Sequence, residues 1–390
     1  MSAPAGRRAA IAGLGITEVG KVYGRSAAQF AADAVRLAAA DAGLSVSDID
    51  GLLVSSGVTG GVSIGLQQAL GLTDLALLSQ MQAYGATAGA MVTTACMAVQ
   101  SGMAEVVACV FGDAPLTEGR RTGAAYGGGR NAPGGWRGMM SAAGINGANS
   151  MYALAARRHM LTFGTTSEQF AHIAVAQREW AMANPQAQMR TPMTIEDHQS
   201  SRWVAEPFHL FDCCLVSNGG VAVIVTSAER AASLQQPPVH VLGWGQSHPG
   251  HSLRRSDDFG LVTGAKRSSA TAFSMAGLTV RDIDVFELYD CYTYTVLVSL
   301  EDYGLCAKGE GGPLAASGAL SRNGSVKVNT GGGQLSGYYL WGMTPMSEGI
   351  IQARGQGGER QVERHDVVLV SGNGGVLDHH STTLLSGHAP

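Results

Sequence analysis

Ala42-Gly43-Leu44-Ser45-Val46-Ser47-Asp48-Ile49-Asp50 is a phrase that the chain contains twice, the second time as Ala276-Gly277-Leu278-Thr279-Val280-Arg281-Asp282-Ile283-Asp284. Each copy follows an alanine-rich segment and leads into an apolar one, Gly51–Val54 in the first case and Val285–Leu288 in the second. The pattern predicts a helix, a glycine that ends it, a short loop and a strand. Because the unit recurs, the sequence predicts two structurally related halves.

Helices and strands alternate on both sides of this unit. A capping box at Ser26–Gln29 predicts the start of the first helix, and a small-residue helix over about Thr87–Gly102 precedes a buried strand at Val106–Phe111. Such alternation predicts an α/β fold with a mostly parallel sheet.

The second half begins where the pattern of the first strand returns. Val239–Gly243 is a mainly apolar run that ends in glycine, as Ala10–Gly13 is, and Gln235–Pro238 is typical of a linker. Residues 113–150 have few periodic apolar positions and predict a functional or interface loop. The predicted units are an N-terminal half over 1–234, with a loop insertion over about 113–205, and a C-terminal half over 239–390.

Composition excludes several classes of protein. The chain has 390 residues, of which 45% are hydrophobic and 14% charged, enough for two units with their own cores. A net charge of -4 without a basic run argues against nucleic acid or a membrane as the main partner, so we expect a small-molecule ligand. The six cysteines lack CxxC spacing and indicate reduced thiols in the cytoplasm. The apolar stretch Ala9–Leu14 is too short for a signal peptide and predicts a buried strand.

A family resemblance rests on three long phrases, Phe211–Gly220, Phe286–Cys306 and Asn329–Gly342. These phrases, with the two matched halves, resemble the thiolase superfamily and specifically the sterol-carrier-protein type of thiolase. The resemblance implies a thiolase fold, two βαβαβ-type halves in a five-layered αβαβα arrangement, and a homodimer.

The residues that thiolases use for catalysis are replaced in this sequence. The family's nucleophilic cysteine corresponds to Gly85, its two histidines correspond to Tyr289 and Tyr339, and its last cysteine is missing from the loop 371–375. Cys96 lies further along the helix, where a small core thiol is expected. Acyl transfer through an enzyme thioester is therefore not expected.

The tyrosine pair is similar to that of the steroid side-chain aldolases, thiolase-fold enzymes often labelled lipid-transfer proteins. The resemblance implies that Tyr289 and Tyr339 are catalytic in the retro-aldol cleavage of a β-hydroxyacyl-CoA to a ketone and a short acyl-CoA. It also implies a small partner protein with a zinc ribbon and an OB fold, giving a heterotetramer. Coenzyme A is part of the substrate, and no other cofactor or metal is expected.

Phenols suit this reaction, because it needs proton transfer and no covalent nucleophile. A phenol with a pKa near ~10 is a good acid toward an enolate, and a base only where its phenolate is stabilised. One tyrosine relays the proton of the β-hydroxyl and the other protonates the α-carbon, in an order that the sequence leaves open. Asp290, a third catalytic candidate, either orients Tyr289 or caps the helix that follows.

Glycine-rich loops supply candidates for binding the substrate and its oxyanion, because their N–H groups can approach a thioester oxygen closely. Tyr292 and Tyr338 are interpreted as wall residues, and His379-His380 lacks a third ligand at useful spacing for a metal. The candidate binding residues are Gly85, Gly332, Ser336, Asn373, Gly374 and Gly375.

Two other functions stay open at this point. One is a thiolase-like acyl-CoA acyltransferase that uses an unrecognised cysteine, and the other is a non-catalytic acyl-CoA-binding subunit. A steroid, a bile acid and an aromatic compound all fit the expected apolar substrate.

Overall fold

The computed structural model describes residues 8–126, 136–145, 147–250 and 256–389. These residues contain twelve strands and twelve α-helices. The strands are β1 Ala9–Ile16, β2 Gly51–Ser56, β3 Leu77–Gln80, β4 Val106–Asp113, β5 Trp203–Ala205, β6 Phe208–His209, β7 Gly219–Ser227, β8 Val239–Ser247, β9 Val285–Glu287, β10 Lys327–Val328, β11 Val368–Gly374 and β12 His379–Ser386. The helices are α1 Ala27–Ala42, α2 Leu66–Ala69, α3 Thr87–Ser101, α4 Trp136–Ala142, α5 Ala148–Phe163, α6 Ser167–Met182, α7 Ile195–Ser200, α8 Ala228–Ala231, α9 Ala265–Ala276, α10 Thr293–Asp302, α11 Gly311–Ala316 and α12 Met343–Ala353.

The repeated phrase folds in the same way at both positions. Helix α1 begins at the predicted capping box, where the Ser26 N–H donates to Gln29 Oε1 at 2.8 Å, and ends at Gly43 with φ 73°. Helix α9 ends at Gly277 with φ 69°. Both glycines adopt the left-handed conformation that an ordinary side chain disfavours, so the predicted helix stops are confirmed.

The aspartates of the phrase have matching roles. Asp48 accepts from the Ser45 N–H at 2.8 Å, and Asp282 accepts from the Thr279 N–H at 2.7 Å, which closes the loop in each half. The last aspartate of each copy then fixes the next strands. Asp50 accepts from the Val106 N–H at 2.8 Å and holds β4 beside β2, while Asp284 accepts from the Val367 N–H at 3.0 Å and holds β11 beside β9.

Ten strands form one sheet composed of two half-sheets with the same order. The order is β3-β2-β4-β7-β1 in the first and β10-β9-β11-β12-β8 in the second, and β1 joins β8 through a short antiparallel pairing. The sheet is mixed, because four neighbouring pairs are parallel and five are antiparallel. The antiparallel pairs all involve β7 or β12 or join β1 to β8, so four of the five strands in each half-sheet run in one direction, and the predicted parallel direction holds within each half.

Helices cover both faces of the two half-sheets. Helix α1 packs on β1, β7 and β4, and α9 packs on β8 and β12. Helix α3 contacts β4 and β7 of one half-sheet and β8, β11 and β12 of the other, and α12 lies beside it. The order α1, half-sheet, α3 with α12, half-sheet, α9 is the predicted five-layered α/β arrangement.

The outer helices approach their strands closely because glycines face them. A β-carbon at Gly15 would lie 2.2 Å from the Ala34 carbonyl oxygen of α1, and one at Gly245 would lie 2.0 Å from the Ser268 carbonyl oxygen of α9. Only a strand residue without a side chain permits these contacts.

The segment 113–150, interpreted as a loop, contains some helix. Helix α4 and a short turn at Ala124–Tyr126 lie within it, and α5, α6 and α7 follow. The glycine runs at 127–129 and 134–135 lie outside the described residues. The boundaries 1–234 and 239–390 stay a prediction. None of the described helices is long and apolar enough to cross a membrane.

Candidate functional site

The two tyrosines singled out in the sequence lie together at the carboxyl ends of the strands of the second half. Tyr289 follows β9, and Tyr339 follows the turn Gly333–Gly337. Their hydroxyl oxygens are 3.4 Å apart. Tyr289 is 3% exposed and Tyr339 is half-buried. Two residues fifty positions apart in sequence therefore form one pair of phenols beside the N-terminus of α3.

Gly85, in the short turn Tyr84–Ala86 that precedes α3, lies directly against this pair. A β-carbon there would be 2.2 Å from the Cε2 and Cζ atoms of Tyr289 and 2.1 Å from the Asn373 carbonyl oxygen. The Tyr289 ring thus occupies the space that a side chain at position 85 would need. A β-carbon at Gly374 would lie 2.8 Å from the Gly85 nitrogen, so only a glycine at 374 fits against this buried backbone amide.

Asp290 supports the segment that carries Tyr339. Its buried carboxylate accepts from the Gln334 N–H at 2.8 Å and from the Leu335 N–H at 3.2 Å. Of the two roles that the sequence left open for Asp290, capping of the helix after it is wrong, because the N-cap of α10 is Tyr292. The aspartate side chain is directed instead at the first N–H groups of the turn Gly333–Gly337, where a carboxylate satisfies donors that otherwise lack acceptors.

Gly332 and Ser336 connect that same turn to α6. A β-carbon at Gly332 would lie 2.5 Å from the Ala181 β-carbon, and the Arg178 Nε donates to Ser336 Oγ at 2.9 Å. Within the described chain, neither residue forms a hydrogen bond with the tyrosine pair. The structure therefore brings Gly85, Asn373 and Gly374 next to the tyrosines, whereas Gly332 and Ser336 hold the turn from its other side.

Gly375 begins a tight turn between β11 and β12. Its φ is 64°, and Val376 and Leu377 follow with φ of 61° and 68°. A β-branched residue in this region is strained by about 1 kcal/mol or more. Tyr84, with φ 52°, and Trp341, with φ 49°, adopt the same conformation beside the site. Strained backbone is thus concentrated around the tyrosine pair, as is common where a fold positions functional groups.

Burial keeps both phenols protonated. It raises the pKa of Tyr289 well above 10, and Cys291 beside it raises that pKa further. The pKa of Tyr339 is also raised well above 10 by burial and by the proximity of Tyr289. Near neutral pH the site therefore holds two neutral hydroxyl groups, each able to donate one proton and to accept another.

The thiols near the pair are protonated as well. Burial raises the pKa of Cys291 to about 12, and it raises the pKa of Cys214 well above its usual range. Cys96, inside α3, is fully buried and its pKa is raised to about 12. A thiol whose pKa is raised by burial is a poor nucleophile, since the thiolate is the reactive form.

Several residues of the site had no signal in the sequence. Tyr126 lies near enough to the pair to raise the pKa of both tyrosines, yet it belongs to an aperiodic segment. Tyr152 lies close enough to Cys291 to lower the pKa of that thiol, against the larger effect of burial. The ring centroids of Tyr152 and Tyr292 are 4.7 Å apart, which fits the expected wall role of Tyr292.

The remaining candidates lie around this centre. Tyr338 is buried, and its hydroxyl is 2.6 Å from Ser347 Oγ, directed away from the tyrosine pair. Asn373 is fully buried, and both polar atoms of its side chain lack a hydrogen-bond partner within the described chain. His379 Nδ1 is 3.0 Å from His248 Nδ1, and His380 is fully buried. Among the described residues no three His, Cys, Asp or Glu side chains are grouped to hold a metal ion.

Comparisons with known proteins agree with this geometry. The profile of a family described as thiolase C-terminal domain-like matches residues 245–387. A steroid side-chain-cleaving aldolase of Thermomonospora curvata is 38% identical over 382 residues, which cover 94% of this chain and 95% of that protein. The 17-hydroxy-3-oxo-4-pregnene-20-carboxyl-CoA lyase of Mycobacterium tuberculosis is 36% identical over 385 residues, covering 94% and 97%.

Solved structures give the same result. An Ltp2-ChsH2(DUF35) aldolase superposes with a TM-score of 0.85 at 36% identity, covering 97% of both chains. A monomeric SCP2-thiolase-like protein type 1 of Mycobacterium smegmatis superposes with a TM-score of 0.73 at 17% identity, covering 98% of this chain and 78% of that one. The second likeness shows the fold alone.

The contact between Gly85 and Tyr289 can be tested by adding one methyl group. We expect Gly85→Ala to lower the free energy of unfolding by about 1–3 kcal/mol, because the new β-carbon overlaps a buried ring and a backbone carbonyl. Urea unfolding measures the effect. Gly65→Ala is the matched control, since its β-carbon would meet only Ser63 Oγ, at 3.4 Å, and its φ is -59°. Equal losses in the two variants would contradict the close packing at position 85.

The raised pKa of Asp290 predicts that the free energy of unfolding depends on pH. Burial raises its pKa to about 7, against a value of ~3.9 in an unfolded chain. The folded protein therefore binds this proton more tightly, and the resulting stabilisation is present in full below a pH of about 4 and is lost as the pH rises through about 7. We expect the free energy of unfolding of the wild type, minus that of Asp290→Asn, to fall over this range.

Urea titrations at a series of pH values measure that difference. Asp282→Asn is the control, because hydrogen bonds from Thr279 lower the pKa of Asp282 and confine its effect to more acidic solutions. Parallel stability curves for the wild type and Asp290→Asn would show that Asp290 does not hold a proton in this range.

Proposed function

The chain belongs to the family of thiolase-fold steroid side-chain-cleaving aldolases, and we propose that it cleaves a β-hydroxyacyl-CoA with a steroid-like side chain by a retro-aldol reaction. It is a carbon–carbon lyase, and its products are a ketone and a shortened acyl-CoA. The sequence similarity over nearly the whole chain supports the reaction class. The pair of tyrosine hydroxyls 3.4 Å apart is the observation that carries the mechanism.

The reaction moves one proton from the β-hydroxyl to the α-carbon. The O–H bond of the substrate breaks, its electron pair forms the ketone, the Cα–Cβ bond breaks, and the pair from that bond enters the thioester enolate. One phenol accepts the hydroxyl proton while it passes its own proton to its partner, and the partner protonates the α-carbon. Each tyrosine ends the cycle neutral. The raised pKa values of Tyr289 and Tyr339 favour such a relay, because no free phenolate has to form.

Charge that develops on the thioester oxygen needs donors close by. The turn that precedes α3 lies beside the tyrosine pair, and the glycine at 374 places no side chain against the Gly85 nitrogen. A helix N-terminus carries a partial positive charge and uncommitted N–H groups. We assign the Gly85 amide to the enolate oxygen, where a preorganised donor contributes most. The reaction requires no cofactor beyond the coenzyme A of the substrate.

An acyltransferase mechanism has no support from the site. Position 85 lacks a side chain and its space is filled by the Tyr289 ring, while Cys96 is fully buried inside α3. The nearest thiols to the tyrosines have raised pKa values and stay protonated. An acyl-enzyme would need a thiolate, so the lyase is the function that these residues favour.

Removing either hydroxyl tests the relay. We expect Tyr289→Phe and Tyr339→Phe each to lower kcat by about 10²-fold or more, because each breaks the path between the β-hydroxyl and the α-carbon. The assay follows the ketone and the acyl-CoA by mass spectrometry from a panel of β-hydroxyacyl-CoA thioesters, with the partner protein present.

The neighbouring Tyr338→Phe is the matched control. It removes a buried hydroxyl that bonds to Ser347, so it should lower stability by about 1 kcal/mol and leave kcat within a few-fold of the wild type. Turnover retained in Tyr339→Phe, with the fold intact by circular dichroism, would exclude the proposed relay. If the wild type cleaves none of the thioesters, the lyase proposal is wrong and the non-catalytic acyl-CoA-binding role is favoured.

The functional assembly is proposed to contain two copies of this chain and two copies of a small DUF35 partner with a zinc ribbon and an OB fold. Similarity to the Ltp2-ChsH2(DUF35) aldolase supports the partner. The terminal strand β3 supports the homodimer, because within the described chain only its edge toward β2 is paired and Leu78 is 36% exposed. An open edge of this kind favours pairing with a second copy. The six free cysteines support a cytoplasmic location.

Light scattering after size-exclusion chromatography tests the dimer. We expect the mass of two chains for the wild type and a shift toward one chain for Leu78→Lys, because a charge at an open strand edge disfavours pairing. The exposed Met275→Lys on α9 is the control and should keep the wild-type mass. A wild-type mass of one chain at all concentrations would exclude the dimer.

A further inference from the structure

Asn329 lies between the two segments that carry the tyrosine pair. It follows β10 directly, is 1% exposed and has a φ of 50°. A positive φ is uncommon for a residue with a side chain, although asparagine tolerates it better than most. The Asn329 N–H donates to the Phe286 carbonyl oxygen at 3.0 Å, and its carbonyl oxygen accepts from the Gly332 N–H at 2.8 Å. Backbone bonds therefore hold Asn329 between β9 and the turn Gly333–Gly337.

The side chain of Asn329 is shared by the same two segments. Its Oδ1 accepts at 2.6 Å from the N–H of Leu288, the residue before Tyr289. Its Nδ2 forms no hydrogen bond of ordinary length within the described chain, but Asn329 lies close enough to Asp290 to lower the pKa of that carboxyl, against the larger effect of burial. A β-carbon at Gly333 would lie 2.1 Å from Asp290 Oδ2 and 3.0 Å from Asn329 Nδ2, so both groups lie beside one point where only a glycine fits.

Three contacts in a row connect the strand end that carries Tyr289 with the segment that leads to Tyr339. They are Thr330 N–H to Glu287 Oε1 at 3.0 Å, Leu288 N–H to Asn329 Oδ1 at 2.6 Å, and Gln334 N–H to Asp290 Oδ2 at 2.8 Å. The first and third acceptors are carboxyl groups, whereas the middle one is a neutral amide. The separation of the two hydroxyls depends on how these contacts align the two segments.

The charged groups around Asp290 include no cation that pairs with it within the described chain. The titratable and charged groups near it are Glu287 of β9, Glu348 of α12, Arg360, which is paired with Glu348, Cys291, Tyr338, Cys214 of the first half, and Arg178 of α6, which is bonded to Ser336. Neutral donors therefore favour the ionised form of Asp290: the N–H groups of Gln334 and Leu335 and the side chain of Asn329. A proton on this carboxyl removes part of its capacity to accept and weakens its hold on the turn.

We infer that Asn329 is a positioning residue of the reaction, because its side chain holds Leu288 and faces Asp290 and so sets the distance between the hydroxyls of Tyr289 and Tyr339. It acts through these neighbours and needs no contact with the substrate. The inference rests on the proposed function, since it takes the two hydroxyls to be the groups that move the proton. It also predicts that the kcat of the wild type rises as the pH rises through about 7, the pKa of Asp290.

Asn329→Gly removes the side chain and keeps the backbone conformation, since glycine adopts a φ of 50° without strain. We expect kcat to fall about 10²-fold, because a misplacement of about 1 Å at reacting groups costs that much in rate. KM should stay within a few-fold of the wild type, because the residue does not touch the substrate. Crystal structures of the wild type and the variant measure the separation of the two hydroxyls, which is 3.4 Å in the wild type and should increase in the variant.

Asn329→Asp tests the interaction with Asp290. Aspartate keeps an acceptor for the Leu288 N–H and also tolerates a positive φ, but it places a second carboxyl beside Asp290. Since like charges disfavour ionisation, the acid limb of the kcat profile should move to higher pH by about one unit or more. Above that limb Asn329→Asp should recover much of the wild-type kcat, whereas Asn329→Gly should stay impaired at every pH.

Thr226→Val is the control for a general loss of stability. It removes a buried hydroxyl that donates to the Glu105 carbonyl oxygen at 2.7 Å, at the opposite end of the sheet, and should change neither kcat nor the pH profile. Wild-type kcat in Asn329→Gly, or an acid limb that does not move in Asn329→Asp, would overturn the inference. If Asn329→Gly does not fold, the profile of Asn329→Asp decides alone.

The crystal structures separate this inference from the proposed function. A greater hydroxyl separation in Asn329→Gly, with no thioester cleaved by the wild type, would keep the positioning of the tyrosines by Asn329 and remove the proposed reaction. An unchanged separation would overturn the positioning role even if the lyase activity is found.

Discussion

The site depends on the contact between the backbone of Gly85 and the ring of Tyr289, where a single β-carbon would overlap both the ring and the Asn373 carbonyl. Other glycines surround the same peptide. A β-carbon at Gly342 would lie 2.2 Å from the Gly85 carbonyl oxygen, and one at Gly372 would lie 2.7 Å from it. The turn that precedes α3 is therefore packed backbone against backbone. Removing side chains from this junction leaves room for a phenol where a thiolase places its nucleophile.

The same burial that fixes the phenol also sets its chemistry. A ring enclosed by backbone and apolar neighbours cannot ionise easily, and the nearby thiols are held protonated by the same low-dielectric surroundings. An acyl-enzyme route needs an anion at rest in the site, whereas a proton relay between neutral hydroxyls does not. In the proposed mechanism, glycine in place of a thiolase's cysteine and tyrosines in place of its two histidines act as one change, from nucleophilic catalysis to proton transfer.

Much of this arrangement follows from the sequence, and the reasons are local. The repeated phrase predicted its helix stops because a glycine at a helix end has one dominant conformation, and the tyrosine pair was located because the phrases around it keep their spacing. Capping by Asp290 stayed an open alternative because a carboxylate before a helix has two sets of N–H groups within reach, and only the tertiary fold decides between them. The antiparallel strands β7 and β12 and the contribution of Tyr126 depend on long-range packing, which leaves no periodic signal.

Both tyrosines come from the second half of the chain, but residues of both halves hold them in place. The backbone N–H of Tyr339 donates to Ser217 Oγ at 3.0 Å, and Gln188 Nε2 donates to the same oxygen at 2.6 Å. Ser217 and Gln188 lie in the first half, beside the turn that Asp290 holds from the second. Tyr339 is thus fixed from two sides, while Tyr289 is fixed by α3. Because a misplacement of about 1 Å can cost about 10²-fold in rate, the proposed reaction requires both halves to hold Tyr339 in place.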